Sequence, residues 1–132
     1  MQMSKYHAKK TIIDGITFDS KTESEYYLHL KEKCERWEIQ AFNLQPSFVL
    51  QEGFKKDGKW HRPIMYIADF EILHTDGRIE IVDVKGFETA DFKIKRKLFE
   101  KKYPYTLTLM KYVKKYGGWI SVDEWKKLKR VK

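Results

Sequence analysis

Three consecutive pieces decide how this chain folds. They are Tyr66-Ile67-Ala68-Asp69-Phe70-Glu71-Ile72-Leu73-His74, the turn Thr75-Asp76-Gly77, and Arg78-Ile79-Glu80-Ile81-Val82-Asp83-Val84-Lys85-Gly86. Asp-Gly between two β-rich runs predicts a hairpin. Side chains alternate between the two faces of a strand. Ile79, Ile81, Asp83 and Lys85 therefore share one face of the second strand, and Glu80, Val82 and Val84 the other. Asp83 and Lys85 extend an isoleucine row to the strand end, where Gly86 breaks the pattern. On the first strand Asp69 interrupts an otherwise apolar run. Carboxylates rarely go inside without a partner. Two of them on paired strands, with a lysine two residues from one, have the makings of a metal site with a cation beside it.

The chain around this hairpin is expected to form one domain over residues 1–132, long enough for a real core. Charged residues at 35% and aromatics at 15% suit a folded domain rather than disorder. No apolar run approaches the roughly 18 residues needed to span a bilayer. Residues 1–10 are polar and basic with no apolar core after them, so no secretory signal is expected. The single cysteine, Cys34, rules out an internal disulfide and fits a reducing cytoplasm. The histidines and the cysteine show no zinc-type spacing. Residues 1–85 carry a net charge of −1 and residues 86–132 a net charge of +9, together the +8 of the chain. Charge alone reads equally as a polyanion-binding half and as a lysine-rich solvated surface.

Taken in order, Asp14-Gly15 between residues 11–13 and 16–18 predicts a short edge hairpin. Ser20 with Glu23 fits a capping box opening a helix to about Trp37. At ~100° per residue, Tyr26, Tyr27, Leu30, Cys34 and Trp37 form one stripe, with Glu23 in its middle. Glu23 either caps the helix or points inward at the strand carboxylates, and those carboxylates favour the inward reading. Residues 41–51 read as one strand, bent or at an edge in its first half because of Pro46. Residues 55–59 read as a polar turn. Thr89-Ala90-Asp91 opens a second helix stopped by Pro104, with Phe92, Leu98, Phe99 and Tyr103 on its apolar face and Lys95 within that face. Residues 105–110 form a strand, and residues 111–118 a basic, aromatic segment ending in Gly117-Gly118. Ser121-Val122-Asp123-Glu124 caps a short terminal helix with Trp125 and Leu128 facing inward. The expected architecture is α/β (α+β): a mixed sheet flanked by helices, with a locally parallel strand-helix-strand unit across residues 78–110.

Magnesium wants hard oxygen ligands, often one or two carboxylates, and keeps several waters. Asp69 and Asp83 can supply them, with the Val84 carbonyl as a third ligand and Glu23 completing the cluster or holding a second ion. Such a cluster acidifies a bound water and neutralises charge building on a phosphate. Lys85, a compact charge beside the metal, orients the attacking water or stabilises the pentavalent phosphate. Gln45 is a weaker candidate for orienting a substrate or ligand. Nothing comparable points to a serine or cysteine nucleophile, and Cys34 on a core stripe reads as packing. The four histidines, His7, His29, His61 and His74, sit singly and read as surface or structural. Tyr112, Tyr116 and Trp119, among Lys111, Lys114 and Lys115, either contact nucleic acid or pack the terminal helix; packing is expected for Trp119.

At these residues the chain resembles the PD-(D/E)XK nuclease superfamily. More closely, it is similar to small phage and prophage proteins related to Holliday junction resolvases, long carried as a domain of unknown function. The resemblance rests on Gly15-Ile16-Thr17-Phe18-Asp19-Ser20-Lys21-Thr22-Glu23, on Tyr66-Ile67-Ala68-Asp69-Phe70 and on Val82-Asp83-Val84-Lys85-Gly86, and it spans about residues 6–112. It implies a restriction-endonuclease-like αβββαβ core. Within the superfamily's motif, Glu23 matches the helix glutamate, Asp69 the motif aspartate, Asp83 the (D/E) and Lys85 the lysine. Ala68 stands where the motif's name has proline, and Asp83 is the shorter acid. The resemblance further implies Mg2+ dependence, with Mn2+ substituting, and a homodimer with one site per strand of a four-way junction.

The combined expectation is a divalent-metal-dependent DNA endonuclease, structure-selective for branched DNA, acting in the cytoplasm (that of a bacterial host if phage-encoded). Phosphate contacts are expected from residues 86–132, through Lys93, Lys95, Lys97, Lys111, Lys114 and Lys115. Two rivals differ in class. One is a non-catalytic DNA- or junction-binding module; the other is a general repair or restriction-like nuclease on linear or flapped duplex. Fold and site together do not choose the DNA structure that is cut.

Overall fold

The computed structural model describes residues 10–85 and 88–130; Gly86, the expected end of the central strand, His7 and the terminal residues lie outside that range. A hairpin of Thr11–Ile13 (β1) and Ile16–Phe18 (β2) leads into helix Lys21–Glu35 (α1). Strands Ile39–Leu44 (β3), Ser47–Gln51 (β4), Phe54–Lys56 (β5), Lys59–His61 (β6), Ile64–Ile67 (β7), Phe70–His74 (β8) and Ile79–Val84 (β9) follow. Helix Ala90–Lys102 (α2) crosses to Thr106–Val113 (β10), and a 3-10 turn at Lys114–Tyr116 leads to Gly118–Ser121 (β11) and helix Val122–Arg130 (α3).

The main sheet has five strands in the order β11-β10-β9-β8-β3. Neighbours β9 and β10 are parallel, joined through α2, and the remaining pairs are antiparallel. The chain is therefore mixed α/β, and α1-β3-β8-β9-α2-β10 reproduces the expected αβββαβ order. Alternation along β9 sorts the core into two layers. Val82 and Val84 pack toward α1 with Phe18, Tyr26, Tyr27 and Leu30. Ile81 packs on the other face with Phe92, Phe99, Leu107 and Leu109. The helices start where polar caps satisfy their free N–H groups: Ser20 Oγ accepts from Glu23 N at 3.1 Å, and Thr89 Oγ1 from Phe92 N at 3.1 Å.

Two expected single strands are each broken, and the breaks face one another. The stretch 41–51 divides at Gln45-Pro46, and the first strand of the central hairpin divides at Ala68-Asp69. Beyond the pair Leu44↔Phe70, Gln45 N donates to the Asp69 carbonyl at 3.0 Å and Ala68 N to the Pro46 carbonyl at 3.1 Å; pairing resumes at Ser47↔Ile67. The result is one long ribbon with a bend, Gln45 taking the left-handed conformation at φ 50°. Before the bend the ribbon's inner face joins the α1 side. After it, Phe48 and Tyr66 lie over α2, with Phe48 edge-on to Phe99 at 4.9 Å.

Other departures have local causes. Helix α1 ends at Glu35, and Trp37, expected in its apolar stripe, is 84% exposed at φ 61°. The left-handed residue turns the chain so that Ile39 enters the core. The polar turn at 55–59 is the tip of the β5–β6 hairpin, with Asp57 and Gly58 both at positive φ. Lys111-Tyr112-Val113 continues β10, and residues 118–121 add the edge strand β11, which the two glycines had masked. Leu128, expected to face inward, is 38% exposed, whereas Trp125 does pack against the core. Trp119 packs as expected, edge-on to Tyr26 at 4.9 Å. Among the described residues no helix is long and apolar enough to cross a membrane.

Candidate active site

Asp69 sits at the ribbon bend, where β8 stops pairing with β9 after Phe70↔Val82. Its carboxylate takes over the acceptor role that a continuing strand would fill. Asp69 Oδ2 accepts from Val84 N at 2.8 Å. In return Asp69 N donates to Asp83 Oδ1 at 2.8 Å. The other Asp83 oxygen, Oδ2, accepts from the Tyr66 hydroxyl. The two aspartates are thus interlocked through each other's backbone, and Asp83 is 2% exposed.

Electrostatics brings the other two candidates into the same neighbourhood. Burial, then the Asp83 charge, lifts the Asp69 pKa from 3.8 to about 7; the Val84 N–H lowers it, Glu23 raises it and Lys85 lowers it. The Glu23 pKa is raised, chiefly by burial and then by Asp19, while the Ser20 hydroxyl and Lys85 oppose this and Asp83 adds to it. Glu23 therefore both belongs to the helix cap and lies in the field of Lys85 and Asp83. Lys85 is exposed, its ammonium 5.8 Å from the centre of the Phe92 ring, on the Asp83 side of the sheet. Burial and the neighbouring Asp83 carboxylate raise the Tyr66 hydroxyl pKa, keeping it a donor.

These residues gather at the C-terminal end of β9, where ligands of parallel α/β units bind. A cleft of about 460 Å³ opens there, lined by Ser20, Thr22 and Glu25 of the α1 start, by Val84 and Lys85, and by Lys111 and Tyr112. Asp69 and Asp83 do not line it; Asp83 directly precedes the lining residues Val84 and Lys85, and Asp69 holds the Val84 N–H. Among the described residues no group of three or more His, Cys, Asp or Glu comes close enough to hold a metal. The available donors are two carboxylates and one carbonyl. Val84 N–H faces Asp69, and a strand residue's carbonyl points along the same edge as its N–H, so the Val84 carbonyl also faces the end of β8. This set of hard oxygens fits a magnesium-like ion that keeps several waters, not a closed cage. The raised Asp69 pKa fits too, because a half-buried carboxylate against the buried Asp83, without a cation between them, resists sharing negative charge.

The six lysines assigned to phosphate are dispersed. Lys93, Lys97, Lys114 and Lys115 are exposed. Lys95 pairs with Asp91 at 3.6 Å, and Lys111, at the cleft, lies 3.6 Å from the centre of the Trp125 ring. Gln45 contributes through its backbone, holding the Asp69 carbonyl. His74, expected to stand alone, bonds Glu80 at 2.8 Å in a structural pair.

Two residues escaped sequence reasoning. Tyr66 holds Asp83; the available signal was an inward-facing tyrosine in the decisive stretch, whose buried hydroxyl needs a partner. Arg96 joins Glu88 at 3.2 Å, Glu100 at 3.3 Å, Asp123 at 3.4 Å and the Leu107 carbonyl at 3.2 Å, tying α2 to β10 and to the first turn of α3. No sequence signal separated it from the surrounding lysines.

No curated protein and no solved structure matches the chain. A family model described as "Protein of unknown function (DUF1064)" matches residues 3–118, most of the chain, and the chain belongs to that family.

Proposed function

We propose that this protein is a divalent-metal-dependent DNA endonuclease that hydrolyses phosphodiester bonds, structure-selective for branched DNA, as its resemblance to PD-(D/E)XK resolvases implies. The observation that carries the reading is the interlocked Asp69–Asp83 pair, with Lys85 and Glu23 in its field, next in the chain to the Val84-Lys85 lining of an open cleft. Asp69, Asp83 and the Val84 carbonyl would hold Mg2+, or Mn2+ in its place, with Glu23 assisting. When bound, such an ion supplies positive charge to the phosphate and acidifies water.

The chain's own residues do the rest. Tyr66 and the Asp69 N–H fix both Asp83 oxygens, so the carboxylate is held before substrate arrives. Lys85 stabilises charge developing on the phosphate and orients the attacking water. Lys93, Lys95, Lys97, Lys114 and Lys115 meet the backbone, while Lys111 lines the cleft. The working unit is a homodimer, one site per strand, in the cytoplasm of the cell that holds the DNA.

The test is cleavage of a labelled four-way junction and of a linear duplex with the same arms, in Mg2+, with Asp69→Ala as control. Paired cuts in the junction alone, lost in the variant, support the reading. Equal cutting of both substrates moves the function to a general nuclease. Tight binding without a cut in Mg2+ or Mn2+ leaves a DNA-binding module. Binding should weaken steeply with salt, and less than a twofold loss between low and physiological salt refutes the phosphate contacts.

A further inference from the structure

The β5–β6 hairpin is the one part of the ribbon that neither core layer explains. Its pairs are Phe54↔His61, Lys55↔Trp60 and Lys56↔Lys59. Phe54, Lys56, Lys59 and His61 share one face, with the Phe54 and His61 rings stacked at 4.7 Å and 16°. Lys55 and Trp60 share the other. Trp60 is 60% exposed and Phe54 41%.

Two features are costs that a purely structural hairpin would avoid, and a third holds an exposed ring in place. Lys56 and Lys59 oppose each other directly, and like charges across a ladder destabilise it. Lys55, Lys56, Lys59 and Arg62 have no carboxylate within salt-bridge distance among the described residues. The Trp60 indole is braced in place: a Cβ on Gly53 would lie 2.5 Å from its ring. The ring rests on bare backbone along one side and offers solvent the rest.

We infer that this hairpin is a second nucleic-acid contact, on which Trp60 stacks an unpaired base beside Lys55, while Arg62 and the tip lysines Lys56 and Lys59, reaching from the other face, meet the flanking phosphates. This rests on the nuclease reading and adds to it the part that senses unpaired DNA. A flat aromatic beside cations is the usual platform for a single strand, since every base has a stacking face and every linkage a negative charge. Reach agrees. From Trp60 to Asp69 the chain spans at most about 30 Å at ~3.3 Å per residue, within one duplex turn of ~34 Å. An unpaired base at a branch can therefore sit on Trp60 while a phosphate within one turn lies beside Asp69. The near-neutral charge of residues 1–85 conceals this basic hairpin, because acidic residues elsewhere in that half offset it.

The experiment measures fluorescence anisotropy of labelled DNA with the full chain in EDTA, so that nothing is cut. The probes are a single strand, a four-way junction and a continuous duplex. Trp60→Ala is expected to weaken single-strand and junction binding roughly 5- to 100-fold, with duplex affinity changed less than about twofold. Trp60→Phe is expected to keep most of the affinity. Lys56→Gln with Lys59→Gln should weaken all three probes and lower the salt slope by up to about 2. Trp60 is exposed, and an unchanged circular dichroism spectrum and melting temperature will verify that Trp60→Ala folds.

Wild-type binding that Trp60→Ala leaves intact on every probe overturns the hairpin assignment and spares the nuclease reading. So does an equal loss on all three probes, which would mean charge or shape rather than stacking. A change in sedimentation of the free chain on Trp60→Ala, with DNA binding intact, would make the hairpin a self-association surface. Wild type that binds no DNA at low salt removes the nuclease reading, and the hairpin assignment with it.

Discussion

Replacing Asp69 by asparagine should stabilise the metal-free protein while abolishing its activity. Asparagine keeps an acceptor for the Val84 N–H and removes only the charge. In the folded chain burial and Asp83 lift the Asp69 pKa from 3.8 to about 7. The folded state therefore holds this proton more tightly than the unfolded state. The associated stability is fully present below pH ~4 and is lost as pH rises toward ~7. The full gap corresponds to ~4 kcal/mol, and partial hydration at the rim of the site reduces the expected effect to ~1–3 kcal/mol. Asp69→Asn should thus match wild type near pH 4 and exceed it by ~1–3 kcal/mol at pH 8. Urea unfolding in EDTA, followed by tryptophan fluorescence at pH 4, 6 and 8, measures this as a midpoint shift of about 1 M. Added magnesium should raise the wild-type midpoint at pH 8 and leave that of the variant nearly unchanged. A variant no more stable than wild type at pH 8, or a gap that does not depend on pH, would refute the account of repulsion between Asp69 and Asp83.

Three further outcomes follow from the same geometry. Tyr66→Phe keeps the ring packing but strips Asp83 of a donor, so it should destabilise the chain by ~1–3 kcal/mol in chemical denaturation. Lys85→Gln should lower cleavage by ~100-fold or more while junction affinity in EDTA changes less than about threefold; an equal loss of both would make Lys85 a binding residue only. Arg96→Ala removes partners from Glu88, Glu100 and Asp123, and should cost about 2 kcal/mol in stability, with the cost shrinking as salt rises.

Local chemistry carried far in this chain. The Asp14-Gly15 turn, the caps at Ser20, Thr89 and Ser121, and the stop at Pro104 are each decided within about four residues. The alternation that puts Ile81 and Asp83 on one face and Val82 on the other is likewise local. Asp69, Asp83 and Lys85 drew notice because charge in an apolar strand is costly without a reason. Local reading failed where a distant partner decides. Trp37 fits the helical stripe, but the chain leaves the helix to bury Ile39. The glycines at 117 and 118 look like an end, but β10 offers an open edge that the next four residues pair with.

The sequence by itself determined the three helices, the first and central hairpin turns, the parallel crossover and the identity of the charged residues at the end of β9. Only the tertiary structure decided that the ribbon bends at Gln45-Pro46 and Ala68-Asp69, and therefore that Asp69 turns its carboxylate to Val84 and its N–H to Asp83. Tyr66 reaches Asp83 across 17 residues of chain, and Arg96 reaches Asp123 across 27. Such contacts depend on the packing of α2 beneath the ribbon and beside α3, an arrangement of surfaces that no window of neighbouring residues contains.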